Sequence, residues 1–313
     1  MAESRVSLFP IEHRAIWELY QQQLASFWTA AEVDLSRDVR EFALLSEDEK
    51  HFIRHVLAFF ASADLLVNVN ISERFIHDVK DCVEAQVCYN FQRAMEDVHS
   101  TMYSILIDTY IQDSDERRKT FNAIKVFPAI REKAEWCDRW TKSERSFSER
   151  LVAFICTEGI HFSGSFCAIY YFKSRGLLPG LTLSNEFIAR DESNHCRFGA
   201  LLYLMRHDLT DAQVHAIVHE AVDIETRFIT EALPCRLIGM NAELMTLHIK
   251  SVADSILSMI GHSPMYNVAN TPFDFMVRIG LHGKANFFEM RESSYQKASV
   301  LSGAASLDEV DDF

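Results

Sequence analysis

The chain has 313 residues, 48% of them apolar, which is enough for one large core or two modest ones and too apolar for a disordered polypeptide. Its formal charge of −14 repels phosphate backbones and anionic lipid, which argues against nucleic acid and a membrane surface as partners. Ten glycines and six prolines leave turn punctuation sparse, so the elements between breakers are long, and that favours helices.

In sequence order, the amino terminus MAESRVSLFPIEHR has no apolar run and carries acids, unlike a secretory or mitochondrial signal, so the mature protein is expected to begin near Met1. Apolar positions spaced by three and four predict helices near 12–30, 47–74, 80–111, 145–173, 182–206, 210–231 and 239–260, with shorter pieces over 115–141. Trp28 falls in the first. The second follows a capping signal, SEDEK, and carries Asp64 inside HVLAFFASADLLVNVNI. The third contains AMEDVHSTMYSILIDTY, where Glu96, His99 and Tyr103 share one face, because helix positions three apart differ by about 60° and positions seven apart by about 20°.

LVAFICTEGIHFSGSFCAIYYF, Leu151 to Phe172, has the length of a membrane span. Glu158 and His161 near its centre, with no second such segment elsewhere, favour a buried core helix instead. SRGLLPG at 174–180 ends it, and LPC at 233 ends a later helix. No strand-like alternation persists, and no repeat, low-complexity tract or linker interrupts the pattern. The expected fold is therefore all-α, a single domain of packed helices over 1–289. From about Met290 the text loses periodicity and ends acidic, which reads as a mobile tail over 290–313. Seven cysteines without any CxxC pair read as reduced core residues and imply a reducing compartment.

Three Glu-x-x-His pairs occur, Glu96/His99, Glu158/His161 and Glu192/His195. Such a pair is weak evidence alone. The stronger signal is acids in the middle of apolar helices, Asp64 and Glu158 above all, where an unpaired ionised carboxylate costs several kcal/mol or stays protonated. Four long helices each offer an inward acid, and the two beyond those of Asp64 and Glu158 pair theirs with a histidine three residues on, which matches the bundle plan for a dinuclear carboxylate site. Two divalent ions would neutralise four carboxylates, and mixed oxygen and imidazole donors suit iron or manganese.

SFWTAAEVDLSRD (26–38), HVLAFF (55–60), AMEDVHSTMYSILIDTY (94–110), VAFICTEGIHFSGSF (152–166), RGLLPGLTLSNEFIARDESNHC (175–196), EALPCRLIGMN (231–241) and TPFDFM (271–276) together resemble the small, radical-generating subunit of class I ribonucleotide reductase, in its eukaryotic and viral branch. The resemblance covers nearly the whole sequence and implies a ferritin-like bundle with two iron ions per protomer, an oxo-bridged di-iron pair, manganese being the alternative. It implies Asp64, Glu96 and His99 as ligands of one metal and Glu158, Glu192 and His195 as ligands of the other, some carboxylates bridging. It makes Tyr103 the radical site, walled by Phe162, Phe166 and Ile188. It places Trp28, Asp191 and Tyr295 on a radical relay to a large catalytic subunit that reduces ribonucleoside diphosphates, with the acidic, Phe-ended SLDEVDDF as the docking peptide. A homodimer in the cytoplasm is implied as well.

His161, Asp97 and Thr101 depart from the family pattern; His161 is assigned to packing or to support of the ligands. Two rival readings remain, another ferritin-like di-metal oxidase or iron-oxidising protein, and a helical scaffold with a degenerate site, against which all six filled ligand positions argue.

Overall fold

The computed structural model describes residues 7–232 and 240–276. The described residues form helices and turns with no β-strand: α1 (Arg14–Ala25), α2 (Asp38–Leu44), α3 (Glu47–Asp78), α4 (Val83–Tyr110), α5 (Ser114–Phe121), α6 (Ala123–Val126), α7 (Pro128–Thr141), α8 (Phe147–Ser174), α9 (Pro179–Leu204), α10 (Asp211–Ala232) and α11 (Ala242–Met259). α3 and α8 each contain one wide π turn, Ile71–Phe75 and Thr157–His161. These turns lie outside what apolar spacing can reveal, because one extra residue per turn shifts the periodic pattern only locally. α3, α4, α8 and α9 pack against one another around a common core, with α7, α10 and α11 against α8. This is the helical bundle expected from the breakers.

The termini follow local chemistry. Ser46 accepts from the Glu49 backbone while Glu49 reaches back to Ser46, so SEDEK is a reciprocal cap on α3. Gly176 sits at φ +69 past the end of α8, a left-handed turn that favours glycine. α9 has no side-chain cap of its own. Its first amides, from Gly180 and Leu181, donate instead to the buried carboxylate of Asp38 on α2 at 2.9 and 2.7 Å, and the Tyr110 hydroxyl donates to the same group at 2.7 Å. A Cβ on Gly180 would lie 2.5 Å from Leu35 and 2.6 Å from the Asp34 carbonyl, so only glycine admits this approach.

Three expectations need correction. The first helix stops at Ala25 rather than 30: Ser26 turns its hydroxyl onto the Gln22 and Gln23 carbonyls, competing with the next helical turn, and Thr29 and Glu32 open a separate short turn. Trp28 therefore lies between elements, not in a helix. Asp38–Leu44 is a helix that the sequence pattern did not announce. Finally, Phe147–Ser174 is not the sole segment long and apolar enough to cross a membrane, since Glu47–Asp78 passes the same test. Ser62, Asp64 and Asn68 break up its apolar run to the eye. The apolar window of Phe147–Ser174 is wholly buried against protein, and that of Glu47–Asp78 is 59% buried.

Candidate metal centre

Four bundle helices deliver the buried acids to one place. α3 contributes Asp64, α4 contributes Glu96 and His99, the π turn of α8 contributes Glu158, and α9 contributes Glu192 and His195; each is at most 1% exposed. Their donor atoms fall into two groups, Asp64/Glu96/His99 and Glu96/Glu158/Glu192/His195, and within each group the atoms lie within 4.8 Å of one another. The structure thus brings together the six side chains that the family resemblance implies as ligands, and Glu96 has donor atoms in both groups.

Both imidazoles turn Nδ1 into the cluster. His99 Nδ1 is 3.3 Å from Glu96 and 3.1 Å from Glu192; His195 Nδ1 is 3.0 Å from Glu96, 3.0 Å from Glu192 and 3.5 Å from Glu158. The opposite edge of His99 faces Asp191, Nε2 to Oδ2 at 3.2 Å, so a carboxylate fixes the orientation of the ring from outside the cluster. Asp191 Oδ2 also accepts from the Trp28 indole at 2.8 Å, while Arg190 donates to Asp191 Oδ1 at 3.0 and 2.9 Å. Trp28, Asp191 and His99 are therefore one hydrogen-bonded series ending at the cluster. Tyr295 lies outside the described residues.

A metal pair fits this pocket on the pocket's own terms. Both Asp64 oxygens, both Glu96 oxygens, Glu158 Oε2 and Glu192 Oε1 are buried without a well-aligned hydrogen-bond donor, a costly state that divalent cations relieve. Electrostatics tell the same story. Burial and the Glu96 charge push Asp64 well above the carboxylate range, and burial with Glu96 and Glu158 does the same to Glu192. Burial also acts on Glu96, but His195 and His99 outweigh it and hold that carboxyl down to about 2. Burial opposes charge on both imidazoles, yet the surrounding acids raise His195 to about 10 and hold His99 well above its ordinary value. Without metal, the cluster balances itself with protons.

Tyr103 lies on the same stripe of α4, 2% exposed. Burial, then the Asp64 carboxyl, pushes its phenol well up, so it is neutral. Phe60 stacks on it with ring centres 4.5 Å apart and planes 5° apart, and Phe162 and Phe166 pack on Phe60 at 5.7 and 5.1 Å. Ile188 is buried on α9. Phe60 was not among the expected wall residues, although a spacing signal existed: it is four residues before Asp64, as Ile188 is four before Glu192. Gln92, four before Glu96, was missed for the same reason; its amide donates to Glu158 Oε1 at 3.2 Å.

The departures from the family pattern resolve into ordinary contacts. His161 belongs to neither donor group. Its ring packs edge-on against Trp136 at 4.8 Å, and burial, reinforced by Lys133, keeps it neutral. Asp97 accepts from Asn68 of α3 at 2.9 Å, and Thr101 bonds back to the Asp97 carbonyl at 2.8 Å, both toward the outside of α4.

Known proteins resemble this one over almost its whole length. The family model for the ribonucleotide reductase small chain matches residues 5–272. The ribonucleoside-diphosphate reductase small chain of Nicotiana tabacum is 53% identical over 299 residues, covering 95% of the present sequence and 90% of the tobacco one. The small chain of vaccinia virus (strain Ankara) is 49% identical over 300 residues, covering 96% and 93%. Among solved structures, the ribonucleotide reductase Rnr4 homodimer of Saccharomyces cerevisiae superposes with a TM-score of 0.79 at 31% identity, covering 90% of each partner in the comparison. The dimanganese NrdF of Streptococcus sanguinis, 19% identical, shares the fold at a TM-score of 0.76.

Proposed function

Because the chain belongs to the ribonucleotide reductase small-chain family, as a small subunit of that oxidoreductase, we propose that its buried cluster serves to oxidise Tyr103 to a radical that a large catalytic subunit uses to reduce ribonucleoside diphosphates. The observation that carries this reading is that Glu96 joins two buried donor groups on the helix face that also bears Tyr103. In this reading Asp64, Glu96 and His99 hold one ion and Glu158, Glu192 and His195 the other. Iron is our assignment, two ions per protomer; the carboxylate and imidazole donors would also accept manganese. When bound, such a pair supplies one-electron oxidation driven by dioxygen.

The protein supplies the rest. Its phenol, kept neutral by burial, must lose a proton as it loses an electron. Phe60, Phe162 and Phe166, with Ile188, keep water and reductants from the oxidised ring. The Trp28–Asp191–His99 hydrogen bonds give the electron a bonded route from the segment between α1 and α2 to the cluster, and although burial opposes charge on Asp191, Arg190 and His99 outweigh it and keep that carboxylate ionised. Tyr295 and the acidic tail at 290–313 are assigned to the far end of that route and to docking on the large subunit, a segment folding onto a partner groove. A homodimer is proposed by analogy with the yeast relative. A reducing, cytoplasmic setting is supported by the six described cysteines, all free.

The test is anaerobic iron(II) loading of metal-free protein, exposure to oxygen and low-temperature electron paramagnetic resonance, beside Tyr103→Phe. A tyrosyl doublet in the parent and none in the variant, at equal metal content, is the expected result. Metal uptake without any radical would sink the Tyr103 assignment in favour of a di-metal oxidase. No metal uptake would sink the site itself.

A further inference from the structure

Glu158 is unlike the other proposed ligands in that its backbone is a π turn, Thr157–His161, rather than regular helix. A π turn is costly, and it displaces carbonyl and amide groups from the α-helical ladder, so it persists where something outside the helix holds it. Two flanking helices do so here. From α7, Lys133 Nζ donates to the His161 carbonyl at 2.7 Å, and one helical turn further Cys137 Sγ meets the Thr157 hydroxyl at 3.5 Å. From α10, Glu225 Oε1 accepts the Gly164 amide at 3.2 Å, while its Oε2 pairs with Lys133 Nζ at 2.5 Å.

Lys133 is 1% exposed and Glu225 fully buried, with the ammonium 3.5 and 3.7 Å from the ring centres of Phe59 and Phe228. Burying an ion pair this deeply gives little net stability, since desolvation offsets the attraction. A role in setting geometry accounts for it better. Gly164 points the same way: a Cβ there would meet Glu225 Oε1 at 2.5 Å and Ile229 at 2.6 Å, so glycine is what lets the carboxylate reach the backbone.

We propose that the buried Lys133–Glu225 pair is a clamp that fixes the backbone of the π turn through the His161 carbonyl and the Gly164 amide, and thereby positions Glu158 for metal. Lys133 and Glu225 are positioning residues; neither is a ligand. The proposal rests on Glu158 being a ligand, as assigned above.

The experiment is metal titration of metal-free protein with manganese(II) under anaerobic conditions, read by spin-resonance signal of the free ion and by metal analysis, with hydrogen exchange of the peptide spanning 157–164 alongside. Lys133→Met and Glu225→Leu are expected to weaken the ion held by Glu158 and His195 by about 10- to 100-fold, the usual cost of losing a group that orients a ligand. The ion held by Asp64 and His99 should be affected less, and the 157–164 peptide should exchange faster. Glu225→Gln keeps an acceptor for the Gly164 amide and should bind metal within a few-fold of the parent, whereas Lys133→Met/Glu225→Gln, neutral overall, should remain weak. Recovery of parental affinity in that double variant would show that charge balance alone matters and overturn the clamp. So would parental binding in both single variants. If a leucine or methionine variant fails to fold, unchanged exchange at 157–164 together with weakened metal binding in Glu225→Gln would equally refute it. A parent that takes up no metal would refute the site reading instead.

Discussion

Replacing Phe60 tests the reading of the Tyr103 pocket most directly. Phe60 is fully buried, stacks face to face on Tyr103 and supports Phe162 and Phe166. Phe60→Ala removes a whole ring from a close-packed aromatic cluster and should destabilise the metal-free protein by about 3–5 kcal/mol, the transfer loss plus the cavity. Phe60→Leu retains most of the volume and should cost about 1 kcal/mol. At roughly 2–4 °C per kcal/mol for a protein of this size class, the melting temperature should fall by at least about 6 °C for alanine and about 2–4 °C for leucine. The ligands are untouched, so metal uptake at a temperature where both variants are folded should match the parent. The cavity adjoins the phenol. The radical formed on oxygenation should therefore appear with parental yield and decay faster toward a small neutral reductant, in the order alanine, leucine, parent. Decay rates identical to the parent's in Phe60→Ala would refute the claim that this ring shields Tyr103, whatever the melting temperatures show.

Trp28→Phe deletes the indole donor to Asp191 while Arg190 still holds the other oxygen, so metal content and radical should persist and turnover with the large subunit should fall sharply, checked by resonance and reductase assay on one sample. Asp38→Ala strips the acceptor from two α9 amides and the Tyr110 hydroxyl, each buried orphan costing about 1–3 kcal/mol, and should lower the melting temperature without altering the metal ligands. Metal loading should release protons at neutral pH, because the raised Asp64, Glu192, His99 and His195 hold protons in the metal-free cluster. Affinity should accordingly rise with pH through the neutral range and weaken in acid. A pH indicator in weak buffer reads this, and uptake with no acidification would contradict it. Removing the last eight or so residues should leave radical yield intact and abolish turnover; full turnover would refute the assigned docking role.

Apolar spacing and sparse breakers were sufficient to predict the long helices, because core burial writes a 3.6-residue period into a sequence whatever the neighbours are. Acids interrupting those apolar stripes were visible for the same reason: nothing local explains an Asp64 or a Glu158 there. The stripe on α4 likewise put Glu96, His99 and Tyr103 on one face before any packing was known. What spacing could not supply was distance between helices. That Glu96 lies between both donor groups, that Asp191 joins Trp28 to His99, and that Phe60 covers Tyr103 are facts of packing between residues far apart in the sequence. The π turn under Glu158 and the Lys133–Glu225 pair beside it belong there too. A π turn costs energy locally, and here side chains of α7 and α10 bond to its backbone, so the contacts that bear on the position of Glu158 come from outside its own segment and appear only when the helices are assembled.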